Sequence, residues 1–332
     1  MKSILVLATN LQQASYRLRF AALIEPLRRC GIELITRVRP RNLLARRRLI
    51  QSAGRFDAVI IQRKFLSPAE AGLLRKSAKK IFLDIDDALM FHNRPVGMIS
   101  HLRTRRRFLA TTKILDHLVA GNLYLADQFR GLRPQLPFTV LPTVVDAMGY
   151  PQKIHKPSPS TQLVWIGSSS TLPYLAGALS ALEEAAKVVR GLGLTIIADR
   201  TLSSSILPIE HIPWSQSTER TDLLRGDIGI APTPGDPWTL GKCGFKIIQY
   251  MAAGLPVIAS PIGANAEIVE EGQTGCLPPT YADWPARIVE LAQDVEKRLR
   301  LGQAGRRRAE HHFSLPTAIS TWTSLLNAPA SG

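Results

Sequence analysis

The chain has 332 residues with 45% hydrophobic and 20% charged residues, a composition that supports a large soluble core of about two domains. No apolar run reaches the roughly 18 residues that a membrane-spanning helix needs, so none is predicted. Three cysteines far apart, Cys30, Cys243 and Cys276, exclude a disulfide framework and fit a reducing cytoplasm.

Apolar strands alternate with helices from the first residues onward. The opening apolar run is too short for a signal peptide, so Ser3–Thr9 is predicted as a first buried strand. The further strands are Ile32–Arg37, Phe56–Gln62, Lys80–Leu83, His117–Ala120 and Phe138–Leu141, with helices at Tyr16–Cys30 and Pro68–Ser77. Continuous apolar strands between helices are typical of a parallel sheet covered on both faces.

The alternation pauses at 151–160, whose Pro, Ser and Lys content indicates a linker, and then starts again. The predicted strands are Leu163–Gly167, Leu194–Ala198, Asp227–Ala231 and Pro256–Ser260, with helices at Leu172–Leu192, Phe245–Ala253, Trp284–Leu301 and Leu315–Leu326. We therefore expect an α/β protein with two tandem doubly wound Rossmann-like domains, at 1–150 and 161–312. Because such sheets bind ligands at the carboxyl ends of their strands, we expect a cleft between the domains, with one ligand in each.

The net charge of +16 is confined to the first half. Residues 1–150 contain 26 Lys and Arg against 10 Asp and Glu, whereas residues 151–332 contain 16 of each. Such a surface attracts anions, which here means phosphate-bearing substrates, acidic lipid headgroups or nucleic acid. Solvated arginine-rich helix faces are the simpler alternative.

The start of the helix at Phe245 has the features of an anion site. Gly244 precedes it, the first N–H groups of a helix lack intrahelical acceptors, and the helix dipole favours negative charge there. Lys242 and Lys246 add positive charge. Lys246 in the first turn opposes the dipole, a conflict that a bound phosphate removes; the alternative is that it points to solvent.

A weaker second cradle is predicted in the loop after Leu163–Gly167. Gly167 is followed by Ser168, Ser169, Ser170 and Thr171 at the start of a helix. Hydroxyl and main-chain N–H groups of such a loop can bind a diphosphate, or the residues can serve only as a helix cap.

Several segments around these residues carry a family pattern. They are Asp227–Pro232, Gly241–Gly254, Leu255–Gly263, Glu267–Val269 and Gly272–Gly275, with looser matches at Asp84–Asp87, Gly121–Asn122, Leu141–Asp146 and Arg308–Ser314. Together they resemble the group 1 glycosyltransferases, most of which retain anomeric configuration. The resemblance implies the GT-B fold, a nucleoside-diphosphate sugar in the C-terminal domain, and a helix over 313–332 that crosses back to the N-terminal domain.

Two positions depart from the family pattern. Many members carry two glutamates eight positions apart around this helix, where this chain has Gly241 and Gln249. By the resemblance, Gln249 is placed to hydrogen-bond the nucleotide ribose, whereas Gly241 has no side chain for the donor sugar. We interpret the chain as a divergent branch in which Lys242 and Lys246 supply the charge for the diphosphate.

The remaining candidate residues divide between donor and acceptor. For the donor, Gly244 and Phe245 lie at the helix start, Trp214 follows a short strand and either stacks on the base or belongs to the core, and Glu267 is expected to reach sugar hydroxyls. For the acceptor, Arg17 and Arg19 lie where the family has its acceptor loop, although an exposed helix face explains them equally well. Asp86, Asp87 and His92 are expected to face the cleft, and Asp84 is either a strand-end or a capping carboxylate.

The sequence thus predicts a cytoplasmic glycosyltransferase, with Lys242, Lys246, Asp87 and His92 as its catalytic residues. No metal or other cofactor is expected, since cationic side chains supply the positive charge. The basic first half predicts a glycan or lipid-linked acceptor and peripheral attachment to an anionic membrane, as in polysaccharide biosynthesis. Nucleic acid is not expected as a partner, because the arginine runs have no aromatic residues between them.

Three alternatives remain at this stage. A non-catalytic nucleotide-sugar-binding or scaffold protein is compatible with the glycine at position 241. A sugar epimerase of the same fold is an alternative enzymatic function. The Asp84–Asp87 pattern is similar to that of haloacid-dehalogenase phosphatases, but it lies on the fourth strand rather than at the start of a domain.

Overall fold

The computed structural model describes residues 1–92 and 95–328, which form two compact units. The first unit contains Met1–Val144, Asp236–Cys243 and the chain from Leu315 onward, and the second contains Val145–Gly235 and Gly244–Ser314. These limits differ from the predicted ones, because Asp236–Cys243 lies in the first unit and the predicted linker 151–160 in the second. Residues 93–94 and 329–332 of the predicted segments 1–150 and 313–332 lie outside the described residues.

The described residues form these helices and strands. The strands are β1 Lys2–Ala8, β2 Ile32–Val38, β3 Ala58–Gln62, β4 Ile81–Ile85, β5 His117–Ala120, β6 Phe138–Val140, β7 Thr161–Ile166, β8 Leu192–Ala198, β9 Ile209–Pro213, β10 Ile228–Ala231, β11 Val257–Ala259 and β12 Gly275–Cys276. The helices are α1 Ala14–Arg19, α2 Ile24–Arg29, α3 Leu43–Gln51, α4 Pro68–Ser77, α5 Met98–Ile114, α6 Leu123–Arg130, α7 Leu172–Val188, α8 Glu219–Asp222, α9 Pro237–Leu240, α10 Phe245–Ala252, α11 Ala264–Ile268, α12 Trp284–Gln293, α13 Val295–His312 and α14 Leu315–Asn327.

Each unit is built on a parallel sheet of six strands. The strand order is β2-β1-β3-β4-β5-β6 in the first unit and β12-β11-β10-β7-β8-β9 in the second. The chain direction across the sheet therefore reverses between β1 and β3 and between β7 and β10. These are the switch points at which doubly wound sheets bind ligands. The predicted α/β class with two Rossmann-like sheets is confirmed.

Helices cover both faces of each sheet. In the first unit, α1, α2 and α14 pack on one face, where Trp322 is 1% exposed, and α3 to α6 pack on the other. In the second unit, α10, α11 and α13 cover one face and α7 and α12 the other. Both central strand sets are therefore buried on two sides, which explains their continuous apolar sequences.

Several predicted helices have different limits. The predicted helix Tyr16–Cys30 is interrupted at Phe20, whose φ and ψ of −132° and −51° are not helical, and a short 3₁₀ turn follows. The predicted helix Trp284–Leu301 is interrupted at Asp294, whose side chain accepts a hydrogen bond from Lys297 N and so caps the next helix, α13. Helices α3, α5 and α6 were not predicted.

Candidate functional site

The helix predicted to begin the donor site, α10, lies against the switch point of the second sheet. The Tyr250 hydroxyl donates to Ile230 O (3.1 Å) and accepts from Ile166 N (3.0 Å), so it joins the ends of β10 and β7. On the same helix, α10, the Lys246 ammonium lies 4.3 Å from the ring centroid of Trp165, a residue of β7. A cation held on an indole face at the carboxyl end of a strand is well placed to attract an anion.

The start of α10 is a half-buried glycine. Its N-cap is Gly244 in the left-handed region (φ 60°), which brings no capping side chain. Phe245 and Lys246 follow, both half-buried. Lys246 thus lies in the first turn of α10, and the anion site predicted there remains a prediction.

The serine loop after β7 is a tight turn. Gly167 lies against the Trp165 ring, and a Cβ at this position would also approach Thr171 Oγ1 to 2.9 Å. Ser168 N donates to Thr171 Oγ1 (3.2 Å), Ser169 N donates to Asp199 Oδ1 (2.6 Å), and the hydroxyls of Ser168 and Ser170 are 2.8 Å apart. These bonds stay within the loop or reach Asp199, and no side chain caps the start of α7. The three serines lie on the surface, and the diphosphate role predicted for them remains a prediction.

A third segment at this edge was missed by the sequence reasoning. Asn265 Nδ2 donates to Thr233 Oγ1 (3.2 Å) and Ser260 O (3.1 Å), and Ser260 Oγ accepts from Thr233 N (3.0 Å). These bonds fix the loops after β10 and β11 to each other. Gly263, with φ 52° and ψ −132°, takes a conformation that only glycine adopts readily. The available signal was a polar residue at or near the end of two predicted strands: Thr233 comes two residues after Asp227–Ala231, and Ser260 is the last residue of Pro256–Ser260.

Three other residues predicted to bind the donor contact other parts of the second unit. Gln249 is 3% exposed and donates to the Tyr150 hydroxyl (3.2 Å), so its side chain is part of the core, and its predicted ribose contact remains a prediction. Trp214 is 40% exposed, and its Nε1 donates to Glu219 (2.9 Å), which excludes the core alternative. Glu267 is exposed on α11, and its carbonyl accepts from Arg308 (3.1 Å).

Lys242 has a different partner from the one predicted. Its ammonium donates to Asp87 Oδ1 (2.7 Å) in the first unit and lies 4.9 Å from the Trp238 ring centroid. The charge of Lys242 is therefore compensated by a carboxylate, and the diphosphate role predicted for it is not supported.

Asp87 also binds Arg63, which sequence reasoning missed. Arg63 follows β3, and its φ of 50° is the one positive φ among the described non-glycine residues. Its guanidinium contacts Asp87 and lies 3.3 Å from Asp86 Oδ1, and it donates to Gln13 Oε1 (3.3 Å) after β1. A strained backbone that places a cation at the switch point of the first sheet marks a candidate ligand site.

The carboxylates of this site are largely buried. Burial and the neighbouring charge of Asp87 raise the pKa of Asp86, since both disfavour its ionised form. Among the described residues, Arg17 Nε and His92 Nε2 are buried without a hydrogen-bond partner, whereas Asp86 Oδ1 and Arg63 Nε contact each other as an ion pair. Unsatisfied buried groups of this kind are compatible with a bound ligand. The roles predicted for Asp86, His92 and Arg17 remain predictions.

Hydrogen bonds that involve main-chain carbonyl groups attach the segment Asp236–Cys243 to the rest of the first unit. Asn122 donates to Leu240 O (3.0 Å) and Lys242 O (2.9 Å), and the Cys243 thiol donates to Asp86 O (3.0 Å). A Cβ at Gly241 would come within 2.8 Å of Ala88 N. The position that resembles the first family glutamate therefore has no room for a side chain.

Arg19 is a core residue rather than an acceptor ligand. It is 4% exposed, its Nε donates to Asp84 Oδ2 (2.9 Å), and its Nη1 donates to Leu141 O (2.9 Å). Burial disfavours its charge, but the Asp84 carboxylate more than compensates and raises the pKa of Arg19. Both predictions for Arg19, the acceptor contact and the exposed face, are wrong, and Asp84 is its partner.

The described residues contain no cluster of three or more His, Cys, Asp or Glu side chains that could hold a metal ion. They also contain no helix long and apolar enough to cross a membrane.

Two α/β units, each with a sheet of parallel strands, are the architecture of the GT-B class. Solved structures of that fold match almost the whole chain. Sucrose-phosphate synthase from Thermosynechococcus elongatus aligns with a TM-score of 0.73 at 12% identity over 98% of each chain. HepE from Anabaena, solved with UDP and glucose, aligns with a TM-score of 0.71 at 15% identity over 98% of this chain and 99% of that one.

A family model matches part of the chain, most of it in the second unit. Residues 162–294 match the family model described as Glycosyl transferases group 1, which confirms the family resemblance found in the sequence. Spore coat protein SA from Bacillus subtilis is 46% identical over 71 residues, which cover 20% of this chain and 18% of that protein. Glycogen synthase from Mycobacterium tuberculosis is 24% identical over 208 residues, so the chain spans about half of that relative (49%).

Proposed function

We propose that the chain is a glycosyltransferase that uses a nucleoside-diphosphate sugar bound by its second unit. The observation that carries the proposal is Lys246, placed over Trp165 at the β7–β10 switch point and in the first turn of α10. The family match covers this same region, and HepE was solved with UDP and with UDP-glucose.

The residues at this site suit the leaving group of such a reaction. Breaking the bond between sugar and diphosphate leaves additional negative charge on the diphosphate. The Lys246 ammonium and the N–H groups at the start of α10 favour that charge without reorganising. We further propose metal-independent transfer with retention, in which the leaving phosphate accepts the proton of the attacking hydroxyl.

The donor site is tested by thermal unfolding with nucleoside diphosphates and their sugars. A ligand at 100 times its dissociation constant stabilises the folded state by about 2.7 kcal/mol. We expect a rise in Tm with one base family, and its loss in Lys246→Ala. Lys187→Ala is the matched control, since Lys187 pairs with Glu184 on the exposed face of α7. No rise with any nucleotide would refute the donor site.

We also propose that the acceptor is lipid-linked and that the first unit binds an anionic membrane surface from the cytoplasm. The helices α3 and α5 support this, since each begins with exposed apolar residues and continues with exposed arginines. Leu43 and Leu44 are 75% and 69% exposed, and Met98 and Ile99 are 78% and 85% exposed. Apolar side chains beside arginines are typical of helices that lie in a membrane interface.

Flotation with vesicles tests the membrane proposal. Binding should increase with phosphatidylglycerol content and decrease with salt, because the attraction is electrostatic. The double variant Leu43→Ser, Leu44→Ser should bind less, whereas Ile154→Ser should not, since Ile154 is equally exposed (73%) but lies in the second unit. Equal flotation on neutral and anionic vesicles would contradict the proposal.

A non-catalytic nucleotide-sugar-binding protein is the second candidate, because Gly241 packs against Ala88 where many family members have a glutamate. A turnover assay with the stabilising donor decides between the two. Release of the nucleoside diphosphate that depends on an acceptor supports the transferase, and binding without turnover under any acceptor supports the alternative.

A further inference from the structure

The first unit has a small cavity that no step above uses. It lies at the carboxyl ends of β1 and β3, the switch point of this sheet, and its apolar wall comes from these strands and α3. Most of its accessible wall is apolar, and the polar residues that line it are Thr9, Arg39, Arg46 and Lys64; we call this cavity the basic pocket.

The charges of the basic pocket are unbalanced. Glu70 pairs with both Arg39 and Arg46, the latter at 3.2 Å. Although burial favours its neutral form, hydrogen bonds from Ser67 and Arg39 lower the pKa of Glu70 to about 2, so it is ionised and fully engaged. Within the described part of the chain, Lys64 has no ion pair, and Arg39 Nε is buried without an acceptor. The cavity lining thus carries three cations, of which the single carboxylate of Glu70 pairs with two.

The positive charges near the basic pocket include those of arginines outside its lining, and these charges repel each other. Burial and the charges of Arg39 and Arg107 lower the pKa of Lys64, and burial and the charge of Arg103 lower that of Arg107. Keeping like charges together in a half-buried position costs free energy. A chain gains from such an arrangement if an anion occupies it, because the anion removes the repulsion and satisfies the free donors.

We propose that the basic pocket binds a phosphate group. A phosphate fits for three reasons: it carries up to two negative charges for the uncompensated cations, its oxygens accept from arginine and lysine donors, and the Thr9 hydroxyl supplies a further donor. The inference adds a phosphate subsite to the acceptor part of the proposed function. It rests on that function only where it assumes that the bound phosphate belongs to the acceptor. Binding of the phosphate itself does not depend on that function.

Calorimetry with inorganic pyrophosphate tests the pocket in the full-length protein. Lys64→Met keeps the apolar stem and removes the charge, and we expect at least about tenfold weaker binding, as for a lost charge-assisted hydrogen bond. Lys76→Met on the exposed face of α4 is the matched control and should bind normally. The unliganded Lys64→Met protein should have the same Tm or a higher one, because the variant relieves repulsion, whereas loss of a structural contact would lower it.

Lys246→Ala separates the pocket from the donor site. Pyrophosphate binding that persists in Lys246→Ala and is weakened in Lys64→Met supports the pocket. The opposite pattern assigns the binding to the donor site and overturns the inference, while the nucleotide-dependent rise in Tm would still support the transferase. Failure of the nucleotide experiment alone would remove the transferase and leave the pocket.

Vesicles containing phosphatidic acid identify the source of the phosphate. Binding to them that Lys64→Met weakens and Lys76→Met does not indicates a lipid headgroup, and a Lys64 dependence with pyrophosphate alone indicates a soluble phosphorylated compound. If Lys64→Met matches the parent protein with both ligands, the pocket does not bind phosphate.

Discussion

Lys242 and Lys246 are four residues apart and contact different parts of the chain. Lys242 binds Asp87 in the first unit, whereas Lys246 lies over Trp165 in the second. The local motif placed Lys246 correctly in the first turn of a helix, and the structure adds its contact with the end of β7. It failed for Lys242, because the partner of Lys242 is 155 residues away in sequence. The same holds for Arg19 and Arg63, whose carboxylate partners are distant in the chain.

Gly241 allows a direct test of the family departure. Gly241→Ala should lower the free energy of unfolding by about 1–3 kcal/mol, because the new Cβ overpacks against Ala88. Gly72→Ala is the control in the same unit: nothing lies within 4 Å of its added Cβ, and in a helix alanine is favoured over glycine by about 1 kcal/mol. Urea denaturation measures both, and equal stability of the two variants would contradict the packing argument.

The Arg19–Asp84 pair provides a second prediction at this scale. Asp84→Asn leaves the Arg19 cation buried without a carboxylate and should destabilise the protein by about 3–5 kcal/mol. Glu25→Gln removes the partner of Arg28 in an exposed pair and should cost at most about 1 kcal/mol. Differential scanning calorimetry distinguishes these values. A mild effect of Asp84→Asn would return Arg19 to the set of ligand-binding candidates.

At the scale of elements, strands and arginine-rich helices differ in how well the sequence predicts them. The six strands of the first unit were predicted to within two residues at every end, because burial on both faces leaves a continuous apolar run. Helices α3 and α5 were missed because they bury few side chains; in α3 the only buried one is Ile50. Their sequences therefore lack the repeat of apolar residues every three to four positions that indicates a helix. The fold class therefore follows from the strands alone.

His117 at the start of β5 predicts a pH dependence. Its ring bonds Thr139 Oγ1 (2.9 Å), and burial, with a smaller effect of Lys80, lowers its pKa from 6.5 to about 4. Between these values the unfolded chain binds the proton and the folded chain does not, so stability should decrease as the pH falls from 6.5 to 4. His117→Gln should flatten this part of the Tm profile, whereas His101→Gln at an exposed position should not. Parallel profiles for His117→Gln and the parent protein would contradict the assignment.

At the scale of the whole molecule, sequence order and structural units do not coincide. The chain leaves the first unit at Val144, returns to it for Asp236–Cys243, and completes it with α14 at its end. The family resemblance predicted the last helix, but Asp236–Cys243 was assigned to the second domain, because its neighbours on both sides belong there. Hydrogen bonds from Asn122, rather than any local pattern, decide where this segment lies.

The completion of the first unit by α14 leads to the last prediction. Trp322 is 1% exposed, and its ring centroid lies 5.7 Å from that of Phe20 and 6.2 Å from that of Phe82, so α14 fills the core next to α1 and β4. Trp322→Ala should destabilise the protein by about 3–5 kcal/mol, as for other buried aromatic truncations. Trp214→Ala, at a position 40% exposed, should cost about 1 kcal/mol for its hydrogen bond to Glu219.

Calorimetry of both tryptophan variants, with and without the stabilising nucleotide, also tests whether the units unfold separately. If they do, Trp322→Ala lowers only the transition of the first unit, and the nucleotide still raises the other transition. A single transition lowered as a whole would mean that the units unfold together. In either case, a Trp322→Ala protein as stable as Trp214→Ala would show that α14 does not complete the core of the first unit.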